Sequence, residues 1–169
     1  MCKGPGCKLL TLIARLAVGG TFVYLAALKL ADPPLFLKSL EAYGMLPTDP
    51  PQLINSVAIF MPWAEMLVGL CLLLGVLPRG AAFVALAMLV AFTGAVFLRG
   101  MSLVTETGTT FMTLKFDCGC GSGEVFLWSK LLSNAALIAG ALVLSLTRAR
   151  LWTMWTLERA EVPSESCSN

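Results

Sequence analysis

The stretch that decides the fold is LLTLIARLAVGGTFVYLAALKLA, residues 9–31. It is a nearly unbroken apolar run of about 20 residues, the length that a helix needs to cross the hydrocarbon core of a bilayer. Lys29 lies near one end, where its long side chain can reach the interface, and Arg15 lies deeper inside the other end. Because a charge at that depth is costly in lipid, Arg15 is expected to need a partner or a polar cavity.

Three further apolar runs follow, separated by segments rich in proline and glycine. Their lengths predict further membrane spans at about 52–77, 81–98 and 126–146. Between the first and second spans, helical spacing of apolar residues from Leu35 to Tyr43 predicts a short helix at the interface. The predicted fold is therefore an all-α membrane protein, a bundle of four transmembrane helices within residues 9–147.

The loop at 99–125 is long enough to carry structure of its own. Apolar and polar residues are mixed in two runs, Ser102 to Thr105 and Thr110 to Phe116, on either side of a Thr-Gly turn, and we interpret them as alternating strands. This alternation fits a small β-hairpin formed by those two runs. Such a hairpin would hold the cysteine-bearing part of the loop at the membrane surface.

The composition excludes several classes of protein. Hydrophobic residues make up 57% of the chain and charged residues 13%, with a mean hydropathy of +0.82, which is typical of an integral membrane protein. The net charge of +2 is small and dispersed, so no nucleic acid partner is expected. The chain has no histidine, so proton transfer would depend on a carboxylate or a thiol.

The main candidate for a reactive site is Asp117-Cys118-Gly119-Cys120-Gly121, where two thiols lie among glycines. Cysteines one residue apart can form a dithiol, a strained disulfide or a pair of ligands for a soft metal, and the spacing does not choose among them. Cys118 and Cys120 are also consistent with two loop cysteines that have no function. A bridge across Gly119 would be strained, and strained, exposed disulfides behave as exchange sites. Cys71 is interpreted as core packing.

Glu65 is a second candidate, because it follows Pro62 and Trp63 near the middle of the second span. An ionisable residue at that depth is a functional hypothesis by default. The competing interpretation is that Glu65 pairs with Arg15 and locks two helices together, since Arg15 is closer to it in predicted depth than Lys29. In the fourth span, Asn134 is expected to hydrogen-bond across helices.

Basic residues favour an orientation with both termini in the cytoplasm, where residues 1–8 form an N-terminal segment and residues 148–169 an amphipathic helix and tail. The residues that carry this bias are Lys3, Lys8, Arg79, Arg148, Arg150 and Arg159. The orientation places Cys118 and Cys120 outside the cytoplasm, in a compartment that permits disulfides.

Over most of residues 9–147 the chain resembles the MauE/DoxX family of small membrane proteins. The matching motifs are Lys29-Leu30-x-Asp32-Pro33, Pro62-Trp63-x-Glu65 and Asp117-Cys118-Gly119-Cys120-Gly121. The resemblance implies a four-helix bundle of the bacterial inner membrane that is associated with thiol redox chemistry. It links such proteins to maturation of disulfide-containing periplasmic proteins, and their relatives to quinone-coupled sulfur oxidation.

The leading functional hypothesis is a membrane thiol oxidoreductase in which Cys118 and Cys120 exchange with an extracytoplasmic thioredoxin-fold protein. The electrons would pass to a quinone in the bundle, with Glu65 handling a proton, or would come from cytoplasmic thiols such as Cys2 and Cys7. The residues themselves establish no cofactor. One alternative is capture of a soft metal ion by the two thiolates. Another is a structural subunit of a larger membrane complex. The sequence does not indicate an oligomeric state.

Overall fold

The structure is a computed structural model that describes residues 5–44, 51–117 and 124–146. The predicted helix and tail at 148–169 lie outside the described residues. The elements in chain order are α1 (Pro5–Ala31), α2 (Pro33–Tyr43), α3 (Pro51–Leu74), α4 (Pro78–Thr107), β1 (Lys115–Asp117), β2 (Glu124–Phe126) and α5 (Leu127–Leu146).

Among the described residues, four helices are long and apolar enough to cross a membrane, namely α1, α3, α4 and α5. Large apolar side chains such as Leu12, Phe60 and Leu98 are exposed on their outer surface. A surface of this kind is stable only against lipid, where helices satisfy their own backbone hydrogen bonds. The predicted all-α membrane bundle is therefore confirmed.

The four long helices form a ring in which α1 packs against α3 and α5, and α4 packs against α3 and α5. Small residues let α1 and α3 approach closely. A methyl group placed on Gly69 would lie 2.8 Å from Cγ2 of Val23 and 3.0 Å from the carbonyl oxygen of Gly19. Close backbone approach at small residues is how helices gain packing energy in lipid, where the hydrophobic effect does not drive association.

The short helix α2 begins after Asp32, because the two prolines that follow it have no backbone N–H with which to continue the hydrogen bonding of α1. The carboxylate Oδ1 of Asp32 accepts a hydrogen bond of 3.1 Å from the backbone N–H of Leu35, and Pro33 occupies the first helical position. Gly44 ends the helix with a φ of 63°. Buried Phe36 holds α2 against the bundle. The predicted short helix is therefore confirmed, and it begins at Pro33 rather than at Leu35.

A small two-stranded hairpin is present in this part of the chain, but the strand assignment from the alternation is wrong. Ser102 to Thr105 are helical, because α4 continues to Thr107 and ends at Gly108, whose φ is 66°. The threonine hydroxyls in this last part are satisfied within the helix; Thr107 Oγ1, for example, donates to the Leu103 carbonyl at 2.7 Å. At 30 residues, α4 is about 45 Å long and exceeds a hydrocarbon core of about 30 Å.

The observed hairpin pairs β1 with β2 in an antiparallel register of Lys115 with Phe126, Phe116 with Val125, and Asp117 with Glu124. Leu114, Phe116 and Leu127 are buried together with Val96 of α4. The backbone N–H of Leu127 donates to the Leu114 carbonyl at 3.1 Å, which ties the start of α5 to the hairpin. This packing supplies the support that a short two-stranded hairpin needs.

Candidate functional site

A buried ion pair joins α1 to α3. Nζ of Lys29 lies 2.7 Å from Oε1 and 2.7 Å from Oε2 of Glu65, and the two side chains are 2% and 12% exposed. The prediction that Glu65 is buried is confirmed. Removing either partner would leave an uncompensated charge, which is a far larger penalty than the net energy of the pair itself.

The expectation that Arg15 is the partner of Glu65 is wrong, and the packing of α1 on α3 gives the reason. The two helices are antiparallel and meet at Gly19 and Gly69. Arg15 lies one helical turn before Gly19 in α1, and Glu65 lies one helical turn before Gly69 in α3. Because the two helices run in opposite directions, Arg15 and Glu65 are displaced towards opposite ends of the bundle. Two turns separate them by about 11 Å along the axis.

Arg15 instead binds the end of α3. Its Nε donates to the Leu72 carbonyl at 3.0 Å and its Nη2 to the Leu73 carbonyl at 3.3 Å. The last carbonyls of a helix lack intrahelical donors and carry a partial negative charge. Arg15 therefore neutralises and caps the C-terminus of α3.

Aromatic rings surround the Lys29 ammonium on its other sides. Nζ lies 5.0 Å from the centroid of the Phe36 ring and 5.6 Å from that of Phe92. Both distances are within the range of cation–π attraction, which strengthens when the cation is desolvated. Four elements thus converge on Lys29: α1 itself, α2 through Phe36, α3 through Glu65 and α4 through Phe92.

A small cavity of about 30 Å³ lies beside the ion pair, and most of its lining is apolar. Glu65, Lys29, Lys130 and Asn134 contribute its polar lining. The volume is enough for a water molecule, and the polar groups offer the partners that a buried water requires.

Asn134 makes the predicted cross-helix hydrogen bond. Its Nδ2 donates to Oγ1 of Thr93 in α4 at 3.1 Å, and the Thr93 hydroxyl donates to the Leu89 carbonyl at 2.6 Å. Lys130 was not anticipated at this cavity. The signal was available, because Lys130 and Asn134 are four residues apart and therefore share one face of α5. Lys130 adds a second cation near the Phe92 ring, at 5.8 Å from its centroid.

A larger groove opens on the outer surface of the bundle between α2 and α3. It has a volume of about 430 Å³ and an apolar lining that includes Trp63, which is 61% exposed. Lys29 lines this groove as well as the internal cavity. Lys29, which is bound to Glu65, therefore lies between a lipid-facing groove and the internal cavity.

The two strands of the hairpin flank the cysteine segment in the sequence. Asp117, at the end of β1, is paired with Glu124 at the start of β2, so residues 118–123 connect two backbone positions held side by side. Cys118, Gly119, Cys120 and Gly121 lie outside the described residues. Cys71 has a free thiol and packs against the hydrophobic core, as its interpretation from sequence required.

The side chain of Phe92 connects the hairpin with the ion pair. It packs against the cluster that contains Leu114 and Phe116 of the hairpin, and its ring also faces the Lys29 ammonium. The base of the cysteine-bearing hairpin and the buried charges thus lie in the same half of the bundle, and both contact Phe92.

Comparison with known proteins gives one clear finding. A family model described as "Methylamine utilisation protein MauE" matches residues 7–147, which include Lys29, Glu65 and the cysteine segment. No curated protein and no solved structure gives a significant match. The matched region covers all four apolar helices, and with their lipid-facing surface it identifies the chain as a multi-pass membrane protein that belongs to the MauE family.

Proposed function

We propose that the protein is a membrane thiol oxidoreductase whose Cys118 and Cys120 exchange a disulfide with a thioredoxin-fold partner outside the cytoplasm. The observation that supports this most is the hairpin: β1 and β2 are anchored to the bundle by buried Phe116 and Leu127 and present residues 118–123 between their ends. Glycines around two thiols leave room for a partner sulfur to approach.

The exchange follows ordinary thiolate chemistry. A partner thiolate attacks one sulfur of the Cys118–Cys120 disulfide, forming a mixed disulfide and releasing the other cysteine as a thiolate. The second partner thiolate then breaks the mixed bond. The partner loses two electrons and two protons as its disulfide forms, and Cys118 and Cys120 gain them as a dithiol.

The dithiol must be reoxidised before another cycle. A membrane quinone is the proposed acceptor: two S–H bonds break, one S–S bond forms, and the two electrons and two protons convert the quinone to the quinol. The Lys29–Glu65 pair is the proposed proton-handling group, since Glu65 is the carboxylate among the described residues that line the internal cavity and it is bound directly to the Lys29 ammonium.

The proposed location is the bacterial inner membrane with both termini in the cytoplasm. Basic residues such as Lys8, Arg79 and Arg148 then face the cytoplasm, in agreement with the positive-inside rule. The hairpin, joined to the far end of α4, faces the oxidising compartment, where a disulfide can persist.

The test is a trapping experiment on the two single variants, Cys118→Ser and Cys120→Ser, in full-length protein with a thioredoxin-fold oxidoreductase. Each variant should lose turnover. With the oxidised partner, one variant should accumulate a mixed disulfide that is visible on a non-reducing gel, because its remaining thiolate attacks the partner's disulfide and the second cysteine of this chain, which would resolve the mixed bond, is absent. Cys71→Ser is the matched control and should cycle like the wild type.

Two results would contradict the proposal. Stoichiometric binding of copper(I) or zinc to the reduced protein, lost in both single variants and without any trapped adduct, would instead favour a metal carrier. Thiols that stay unreactive and metal-free would favour a structural subunit.

A further inference from the structure

We infer that the groove between α2 and α3 is the binding site for the ring of a membrane quinone, with its isoprenoid tail extending into lipid. The inference rests on the proposed function for the role of this ligand, but the site itself is argued from the groove. Its residues are Lys29, Pro33, Asn55, Ala58, Ile59 and Trp63, together with neighbouring apolar side chains.

The size and position of the groove select a lipophilic ligand. A volume of about 430 Å³ lies within the range of roughly 300–1,000 Å³ that small-molecule sites occupy. The groove opens beside Trp63 and Ile59, which are both 61% exposed on the bundle's apolar outer surface. A ligand therefore reaches it from the bilayer, and its body must be apolar.

The wall of the groove carries both a donor and an acceptor. The exposed amide of Asn55 supplies N–H groups, and Lys29 lines the groove with its ammonium bound to the Glu65 carboxylate. Pro62 lies inside α3 and has no N–H, so the carbonyl of Ala58, one turn earlier, loses its normal helical donor. A wall with a donor and an acceptor matches a ligand that accepts a hydrogen bond in one oxidation state and donates one in the other. The carbonyl groups of a quinone accept hydrogen bonds, and the hydroxyl groups of the quinol donate them.

The charge of the wall favours a neutral head over the phosphate of a phospholipid. The Lys29 ammonium is already neutralised by two contacts of 2.7 Å to the Glu65 carboxylate. An anionic head would face that carboxylate at short range in a medium of low dielectric constant, which is unfavourable. The exposed indole of Trp63 adds a flat surface against which a quinone ring can stack.

The location also suits proton delivery. Lys29 lines the groove on one side and the internal cavity with Lys130 and Asn134 on the other. A quinone that accepts two electrons must also take up two protons. Among the described residues that line the groove, Lys29 is the ionisable one, and its ammonium is bound to the Glu65 carboxylate. Phe92 joins this position to the base of the hairpin that carries the donor thiols.

The test compares two substitutions of equal size on α3, Ala58→Phe and Ala64→Phe. Ala58 lines the groove, whereas Ala64 is exposed on the lipid-facing surface outside it. Binding of decylubiquinone is measured for the full chain in phosphatidylcholine nanodiscs free of endogenous quinone. Ala58→Phe should weaken binding by roughly tenfold or more, whereas Ala64→Phe should bind like the wild type.

A second arm uses Asn55→Leu, which keeps the volume and removes the amide. It should weaken decylubiquinone binding while leaving the unfolding temperature unchanged, because Asn55 is exposed. Binding that is equal in Ala58→Phe and the wild type, or equally reduced by Ala58→Phe and Ala64→Phe, would overturn the assignment of the groove.

The two proposals fail separately. In a Cys118→Ser/Cys120→Ser double variant, decylubiquinone should still bind, because the groove does not include the cysteines. Disulfide exchange by the wild type with no quinone binding would overturn the groove and leave the exchange function. Quinone binding that depends on Ala58, in a protein that never exchanges disulfides, would support the groove and overturn the exchange function.

Discussion

Lys29 and Glu65 form a symmetric contact in which one ammonium lies 2.7 Å from both oxygens of one carboxylate, well inside the bundle. We predict that Lys29→Met alone lowers the free energy of unfolding by about 3–5 kcal/mol, because it leaves a buried carboxylate without a cation. The double variant Lys29→Met/Glu65→Leu should lose less than the sum of the two single losses. Thermal or denaturant unfolding in detergent, analysed as a double-mutant cycle, measures the coupling.

Lys38→Met is the control for this cycle, since Lys38 is exposed on α2 and makes no contact with the pair. Additive losses for Lys29→Met and Glu65→Leu would mean that the two side chains do not interact in the folded protein.

Gly69 is the point of closest approach between α1 and α3. We predict that Gly69→Ala destabilises the protein by about 1–3 kcal/mol, because the added methyl group would meet Val23 and the Gly19 carbonyl at 2.8–3.0 Å. Gly20→Ala is the control: nothing lies within 4 Å of its added methyl group, and alanine favours the helix. Unfolding midpoints should fall for the first variant and rise or stay constant for the second; the reverse order would refute the close packing.

Asn134 and Thr93 connect α5 to α4 by a hydrogen bond of 3.1 Å. We predict that Asn134→Leu costs about 0.6–2 kcal/mol, the range found for polar contacts between membrane helices. Ser133→Leu should have little effect, because the Ser133 hydroxyl is exposed and bonds within its own helix to the Lys130 carbonyl. Equal unfolding free energies for the two variants would argue against a stabilising cross-helix bond.

The proposed orientation has its own test. Cysteine-reactive, membrane-impermeant reagents should label a single cysteine introduced at Thr109 from outside intact cells, whereas one introduced at Arg79 should be labelled only after permeabilisation. Both reporters are built on a chain whose native cysteines are replaced by serine. Labelling of both positions from the same side would exclude the proposed topology.

The fold was largely predictable because each membrane helix is specified locally by a long apolar run. Glu65 was recognisable for the same reason, as a charge at a depth where lipid makes it costly. The partner of Glu65 could not be recognised from the sequence. Depth in the membrane was counted from the ends of the loops, and this count ignores how far α1 and α3 are shifted along each other by the contact of Gly19 with Gly69. Both alternation and helical spacing were consistent with residues 102–105; the continuing hydrogen bonds of α4 decided for the helix.

Lys130 shows a different limit. Its spacing from Asn134 puts both side chains on one face of α5, but only the packing of α5 against α1 and α4 shows that this face meets the cavity with Glu65. Contacts of this kind depend on helix rotation, which is set by side chains from several elements at once.

The Lys29–Glu65 pair also constrains how the chain is made. Its carboxylate is encoded 36 residues after its ammonium, so at about 5–20 residues per second Lys29 emerges from the ribosome roughly 2–7 seconds before Glu65 exists. During that interval Lys29, near the end of α1, is without its carboxylate, and its ammonium must reach the interface to stay hydrated. We therefore expect α1 to remain near the translocon until α3 is synthesised, and the two helices to enter the bilayer together as an antiparallel pair.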